Sequence, residues 1–287
     1  MREGYWVIRK YCCGPVGESI KFWMPGRRPE RMTRQVRRDV QRIAKNTGSA
    51  IRQAARVVNL NFGEGDGLVG LDYTDAALAG LMGQIPDGVQ GEEREKRLYD
   101  LAEHQMDLMI RRAQRAAEKD GIALMYFKTT SDRDWDERKK VWVPARIHHH
   151  LILNEEAKPY VFAAWKHGGV DWKPLSPQPD YTPVVAYLIE QVRHRADKNK
   201  YRTSRNLERP AAKDRLAAGG AELRPPRGAV LLDRGAYVPG QPQYIRYILP
   251  AAYETERAAR ENGVLHVTEV PAHRREEKRR RRGSRGA

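Results

Sequence analysis

The spacing of apolar positions along this chain changes from helical to strand-like and back, and those changes outline its elements. From Thr33 to about Asn59, Val36, Val40, Ile43, Ile51, Ala55 and Val58 recur at helical spacing with arginines between them, which predicts an amphipathic helix or helix pair. Ahead of it, Met1 to Pro29 holds Gly14, Pro15, Gly17, Pro25, Gly26 and Pro29, chain breakers that predict an irregular lead-in. Leu68 to Tyr73 reads as a short strand after a glycine-rich turn. Thr74-Asp75 caps a brief helix that Pro86-Asp87-Gly88 ends, and Glu92 to Lys119 carries Leu98, Leu101, Met106, Met109, Ile110 and Ala113 on one helical face. A methionine stripe of this kind is core packing rather than a cofactor box.

After Asp120-Gly121, Ile122 to Phe127 predicts a buried strand, joined through the charged segment Ser131 to Lys140 to a second apolar run, Arg146 to Leu153. Lys158 to Lys166 predicts a short helix stopped by His167-Gly168-Gly169, Val170 to Leu175 an edge strand, and Asp180 to Gln191 a capped helix. Strand pairs beside long helices give an α+β class. Past Pro210, glycine, proline, alanine and arginine predominate, predicting a loosely ordered arm and tail. The expected organisation is a basic, mostly helical extension over residues 1–60, a core domain over 61–210, and an arm with a basic tail over 211–287.

Charge narrows the partner. With 53 Lys+Arg against 37 Asp+Glu, the formal charge is +16, which favours a polyanion and above all nucleic acid. The tail from Arg274 to Ala287 is expected to add non-specific phosphate contacts. No run approaches the ~18 apolar residues that a membrane span needs. The expectation is therefore no membrane partner and a cytoplasmic location. Cys12 and Cys13 are adjacent and read as reduced, structural thiols.

The candidate chemistry lies at His148-His149-His150, which heads the apolar run Leu151-Ile152-Leu153. Alternation in a strand puts His148 and His150 on one face and His149 on the other, so two imidazoles form half a metal site. Tyr187 and Gln191 stand one turn apart on the helix that follows. A hydroxyl and a third ligand can thus reach one spot.

These features resemble the HUH endonucleases, and specifically the single-tyrosine rolling-circle replication initiators of phages and mobile elements. Besides the histidines and Tyr187, Asn61 to Tyr73 looks like the group's "NF..gD..ltLtY" motif, and Tyr201 to Pro210 like its "Y..SrNL..P" ending. The middle position of the HUH is itself a histidine, and Glu190 stands where a lysine often follows the tyrosine. The resemblance implies a ferredoxin-like central antiparallel sheet with the histidine-bearing strand in its middle and helices on its faces. It also implies nicking and rejoining of single-stranded DNA or an origin hairpin, with a host helicase and polymerase as further partners. A conjugative relaxase or single-tyrosine transposase shares this chemistry. A non-catalytic, basic nucleic-acid-binding protein is the alternative of another class.

The donor types lead to Mg²⁺ or Mn²⁺ held by His148, His150 and Gln191, with Asp66 and Glu137 next in line should Gln191 not serve. Tyr187 is the expected nucleophile and Tyr201 the alternative, while Glu190 and Arg193 are supporting candidates. Lys200, Arg202 and Arg205 are expected to touch DNA. His149 is expected to tolerate leucine.

Overall fold

The computed structural model describes residues 4–24, 47–192, 199–235 and 243–250, with Thr47 and Trp142 described by their backbone alone. Among these residues the fold is α+β, with two five-stranded antiparallel sheets and five α-helices. The chain divides into two compact units, one formed by residues 62–177 and 183–207 and the other by 1–61, 178–182 and 208–287.

The histidine-bearing unit is built on β3 (Gly67–Asp72), β4 (Tyr126–Asp136), β5 (Val141–Leu153), β6 (Val170–Pro174) and β7 (Arg202–Thr203), ordered β6-β3-β5-β4-β7. The histidine strand β5 is thus the middle strand, as the resemblance implies, and its apolar run is buried as predicted. On one face lie Val69, Leu71, Ile147, Leu151 and Leu153, all buried and packed in one cluster with Met106, Met109 and Ala113. Those last three residues come from α3 (Gly91–Lys119), preceded by α2 (Asp75–Met82), whose N-cap Thr74 accepts from Ala77 N at 3.2 Å. Each fully buried Leu, Ile or Met contributes about 1.5–3 kcal/mol, so the stripe read from the sequence is what holds the helix to the sheet.

The strand forecast was short on one side. Residues 131–136, expected in a charged loop, continue β4 and pair with β5 out to Asp136 opposite Val141. The turn between them closes on Asp136, whose Oδ1 accepts from the amides of Arg138 and Lys139 at 3.0 Å each. Charge was the misleading signal, because an arm solvated on both faces needs no apolar alternation. Ile122 to Met125 precede the strand rather than open it.

The other unit overturns the irregular lead-in. Residues 5–24 form an antiparallel hairpin, β1 (Tyr5–Cys13) with β2 (Val16–Met24), turning on Gly14-Pro15. Gly14 takes φ +66°, the left-handed value that a tight hairpin turn requires and glycine accepts without strain. The breakers therefore mark a turn between strands, not the absence of strands.

The segment expected to be a loose arm supplies β8 (Ala212–Ala217), β9 (Val230–Arg234) and β10 (Gln243–Ile248), giving the order β8-β1-β2-β10-β9. The flanks are therefore one sheet with its own core of Ile8, Leu223, Ile245, Tyr247 and Leu249. Helix α1 (Thr47–Asn61) belongs to this unit and carries Arg56, which donates to the buried Glu18 at 2.6 Å. The sequence positions Val36, Val40 and Ile43 and the basic run Arg274 to Arg282 lie outside the described residues.

Candidate active site

The face of the histidine sheet opposite α3 carries the candidate chemistry. On β5, His148 stands opposite Asp72 of β3 and Ser131 of β4, and His150 opposite Gly70 and Thr129. Helix α5 (Thr182–Glu190) lies against this face, and at its start Asp180 Oδ1 accepts from Thr182 N at 2.9 Å. Just past its end comes Gln191, fully buried, whose Oε1 lies 2.9 Å from His150 Nε2 and 3.4 Å from His148 Nε2. The three side chains whose spacing makes them candidate metal ligands are brought together.

The protonation pattern is informative. His148 Nδ1 lies 2.8 Å from the Arg146 carbonyl, which can only accept, so Nδ1 carries the proton and Nε2 presents a lone pair towards the Gln191 oxygen. Two acceptors then face each other, an arrangement that a cation or a proton between them relieves. Burial, and next the neighbouring His148, push the His150 pKa down to about 4, so it stays neutral at physiological pH, as a ligand must. Gln191 Nε2 and Thr129 Oγ1 are buried without a hydrogen-bond partner. An orphaned amide N–H costs about 1–3 kcal/mol, which the 2.9 Å contact of the oxygen with His150 Nε2 offsets in part.

The set fits a divalent cation with open coordination positions: two imidazole nitrogens, one amide oxygen, and the exposed Asp72 on the rung of His148 as a further oxygen within the same face. Among the described residues no three His, Cys, Asp or Glu side chains cluster as a metal set. An amide completes the group instead. Gly70 leaves the flank of His150 open, since a β-carbon there would meet only the Asp171 side chain at 3.6 Å.

Tyr187 is 48% exposed, and its ring centroid lies 6.4 Å from that of His150. Tyr201, the alternative nucleophile, is instead stacked on Phe127 at 5.3 Å with an interplanar angle of 27°, a packing role. Glu190 is exposed at the end of α5 and lies close to Lys200, whose pKa is lowered by burial and then by Arg133 while Glu190 opposes the change. Arg193 falls outside the described residues.

Four expected site residues are placed elsewhere. Asp66 is fully buried and fixes a turn, accepting from Gly63 N at 2.9 Å and Glu155 N at 3.2 Å. It precedes Gly67, which pairs with Leu153 at the far end of the strand, several steps of about 3.3 Å from the histidines. Glu137 sits in the exposed turn of the β4–β5 arm, ion-paired to Lys140 at 2.6 Å. Arg202 donates to Asp107 at 2.9 Å on the α3 side of the sheet, opposite the histidines, and Arg205 lies near Tyr126 on that same side. Of the three expected DNA contacts, only Lys200 stands near the end of α5.

Ser131 was not foreseen. Its hydroxyl donates to the Gln191 carbonyl at 2.8 Å, and it pairs in register with His148, so one residue ties the strand of the histidines to the ligand after the helix. The β4 register shifts immediately beyond it, between Ser131 and Arg133, a bulge of the kind that re-aims side chains beside functional sites. Asp72 and Ser131 become visible only through cross-strand register, which a one-dimensional pattern does not carry.

His149 also departs from expectation. It is fully buried on the α3 face, with Nδ1 2.9 Å from Thr130 Oγ1 and Nε2 2.9 Å from the Tyr73 hydroxyl. Because Thr130 donates to Glu103 at 2.7 Å, Nδ1–H must donate to Thr130 and Nε2 must accept from Tyr73. Burial holds its pKa well below the usual value. Leucine there would leave the Tyr73 hydroxyl only the longer bond to the Ala102 carbonyl at 3.4 Å and remove the partner of Thr130, a cost in stability beside the tolerance expected for cleavage.

The two outer motifs prove to be clips. Asn61 exchanges two hydrogen bonds with the Glu208 backbone at 2.8 and 2.9 Å, while Ser204 and Asn206 bind the backbone at Tyr126 and Leu124. No helix among the described residues is long and apolar enough to cross a membrane. Comparison of the chain with protein families, with curated proteins and with solved structures gave no match.

Proposed function

We propose that the protein nicks and rejoins single-stranded DNA through a covalent tyrosine intermediate, in the manner of a rolling-circle replication initiator. One observation carries this reading: His148 Nε2, His150 Nε2 and Gln191 Oε1 converge, and one helical turn before Gln191 the half-exposed Tyr187 stands beside His150. His148, His150 and Gln191 would hold Mg²⁺ or Mn²⁺, which would supply Lewis-acid polarisation of a phosphate oxygen.

The chain's own groups do the rest. Tyr187 Oη attacks phosphorus in line, the bond from phosphorus to the 3′-oxygen breaks, the phenolic proton passes to water, and the departing 3′-oxygen takes a proton from water. The products are a 5′-phosphotyrosine and a free 3′-OH. Reversal needs no ATP because the phosphodiester is exchanged, not hydrolysed. Gly70 leaves the approach to His150 clear for a strand, and Ser131 holds the Gln191 backbone against the histidine strand.

The test is incubation with Mn²⁺ and single-stranded origin oligonucleotides, followed by digestion and mass spectrometry. A nucleotide on Tyr187 is the expected result. An adduct on Tyr201, or cleavage with free 5′-phosphate ends and no adduct, sinks the mechanism. Metal-independent DNA binding with no cleavage would leave the binding-protein reading standing.

A further inference from the structure

The second sheet separates its charges by face. Its carboxylates, Glu18 on β2, Asp214 on β8 and Asp233 on β9, all lie on the α1 face, where Glu18 pairs with Arg56 at 2.6 Å and Asp214 with Arg9 at 2.6 Å. On the reverse face, register places Lys10 directly opposite Lys213, and Arg215 opposite Ile8 on the next rung of that face, about 6.6 Å along. Lys213 and Arg215 are exposed and Lys10 is half-buried. None of the three has an ion-pair partner among the described residues. The acid of the covering segment, Glu222, is taken by Arg224 at 3.3 Å.

Like charges directly opposite one another destabilise a sheet, so this trio costs the fold something and gains nothing within it. Their mutual influence is real, for burial and then Arg215 lower the pKa of Lys10. Another cation on the face, Lys21, behaves differently. Lys21 is buried, and its ammonium donates to the carbonyls of Gly219 and Ala221 at 2.5 Å each. Where this sheet uses a cation structurally, it gives the cation acceptors.

The same face continues to the rung of Trp6 and Trp23, set edge to face at 5.4 Å, with Trp23 49% exposed. Unpaired cations in a row on β8 and β1, with an exposed indole of β2 on the same face, match a chain of phosphates carrying unpaired bases. We infer that the Lys10, Lys213, Arg215 and Trp23 face is a second binding site for single-stranded DNA, gripping its phosphates and stacking a base. This rests on the reading of the protein as a handler of single-stranded DNA but not on cleavage.

The experiment is fluorescence anisotropy of a labelled single-stranded oligonucleotide with the full chain, without divalent metal, across a salt series. Three phosphate contacts at ~0.7 each predict that the triple variant K10Q/K213Q/R215Q has a slope of log affinity against log salt shallower by about 2. Trp23→Ala should weaken binding several-fold at unchanged slope, and Arg9→Gln, on the opposite face, should leave the slope alone. Lys10→Gln by itself should shallow the slope by ~0.7 and relieves a repulsion, so it serves should the triple variant not fold. An unchanged slope overturns the inference, as does polyglutamate competing as well as the oligonucleotide. If the wild-type chain binds and never nicks but the slopes behave as stated, the face stands and the nuclease reading falls. Nicking with an unaltered slope gives the reverse.

Discussion

The two sheets treat polar side chains in opposite ways. In the histidine sheet, neutral donors are drawn into one point: two imidazoles and an amide oxygen lie 2.9–3.4 Å apart, and a third imidazole is locked behind them by Tyr73 and Thr130. In the other sheet, Lys10, Lys213 and Arg215 are spread in a row and left without counter-ions among the described residues, while the acids are turned to the α1 face. Convergence suits one small, hard ligand at a fixed position. A row suits a long, repeating one. The contrast teaches that a site's geometry announces the size of its ligand before its chemistry is known.

The largest expected effect tests convergence directly. Tyr187→Phe should abolish the adduct while leaving oligonucleotide affinity and melting temperature unchanged, since the residue is half-exposed and loses only a hydroxyl. His148→Ala or His150→Ala should lower cleavage by roughly 10²–10⁴-fold, the several kcal/mol of a Lewis acid. Gln191→Ala should cost about 10–100-fold and recover at higher Mn²⁺. Cleavage rates against metal concentration check all three, and an active His150→Ala would break the comparison at its root.

Next comes the locked imidazole. His149→Leu leaves the Tyr73 hydroxyl and the Thr130–Glu103 chain short of a partner, so it should destabilise by about 1–3 kcal/mol, read as a lower denaturant midpoint. Binding of oligonucleotide by the other sheet should persist in that variant.

Acid should sharpen the contrast further. His150 has its pKa depressed from 6.5 to about 4, so between those values the unfolded chain binds a proton that the folded chain does not. Stability attributable to it is complete above pH 6.5 and falls as pH drops towards 4. His149 acts in the same direction. Thermal melts from pH 7 to 4 check this, and a midpoint that rises on acidification would contradict the buried, neutral histidines.

The smallest effect lies in the cationic row. Lys10→Gln should raise stability by about 0.2–1 kcal/mol by removing the repulsion from Lys213. A lowered midpoint would mean that Lys10 is a structural residue after all.

How much of this could be read from one dimension depended on where the partners lie. The histidine strand, the Met106–Met109 face of α3 and the Tyr187–Gln191 turn were legible because their periodicity is local. Ser131 and Asp72 were not, since their role exists only across hydrogen-bonded rungs. His149 looked replaceable because alternation assigns a face but not the polar groups waiting there. The hairpin at Gly14-Pro15 was misread because breakers were weighed without the strands they join, and strands β8 to β10 because short segments have little periodicity of their own. Arg202 and Arg205 were counted as free charge, whereas Arg202 neutralises Asp107 and Arg205 is exposed on the side away from the histidines.

The pairing of β1 with β8 has a consequence for biosynthesis. Arg9 and Asp214 meet across 205 residues, so the first hairpin to leave the ribosome exposes both edges of its ribbon until almost the last described strand has been translated. At about 5–20 residues per second that wait lasts roughly 10–40 s, long enough for the histidine sheet, whose strands lie between, to finish folding first. A nascent chain would therefore acquire its candidate catalytic centre before its cationic face, because strands β8 and β10 are synthesised after every strand of the histidine sheet.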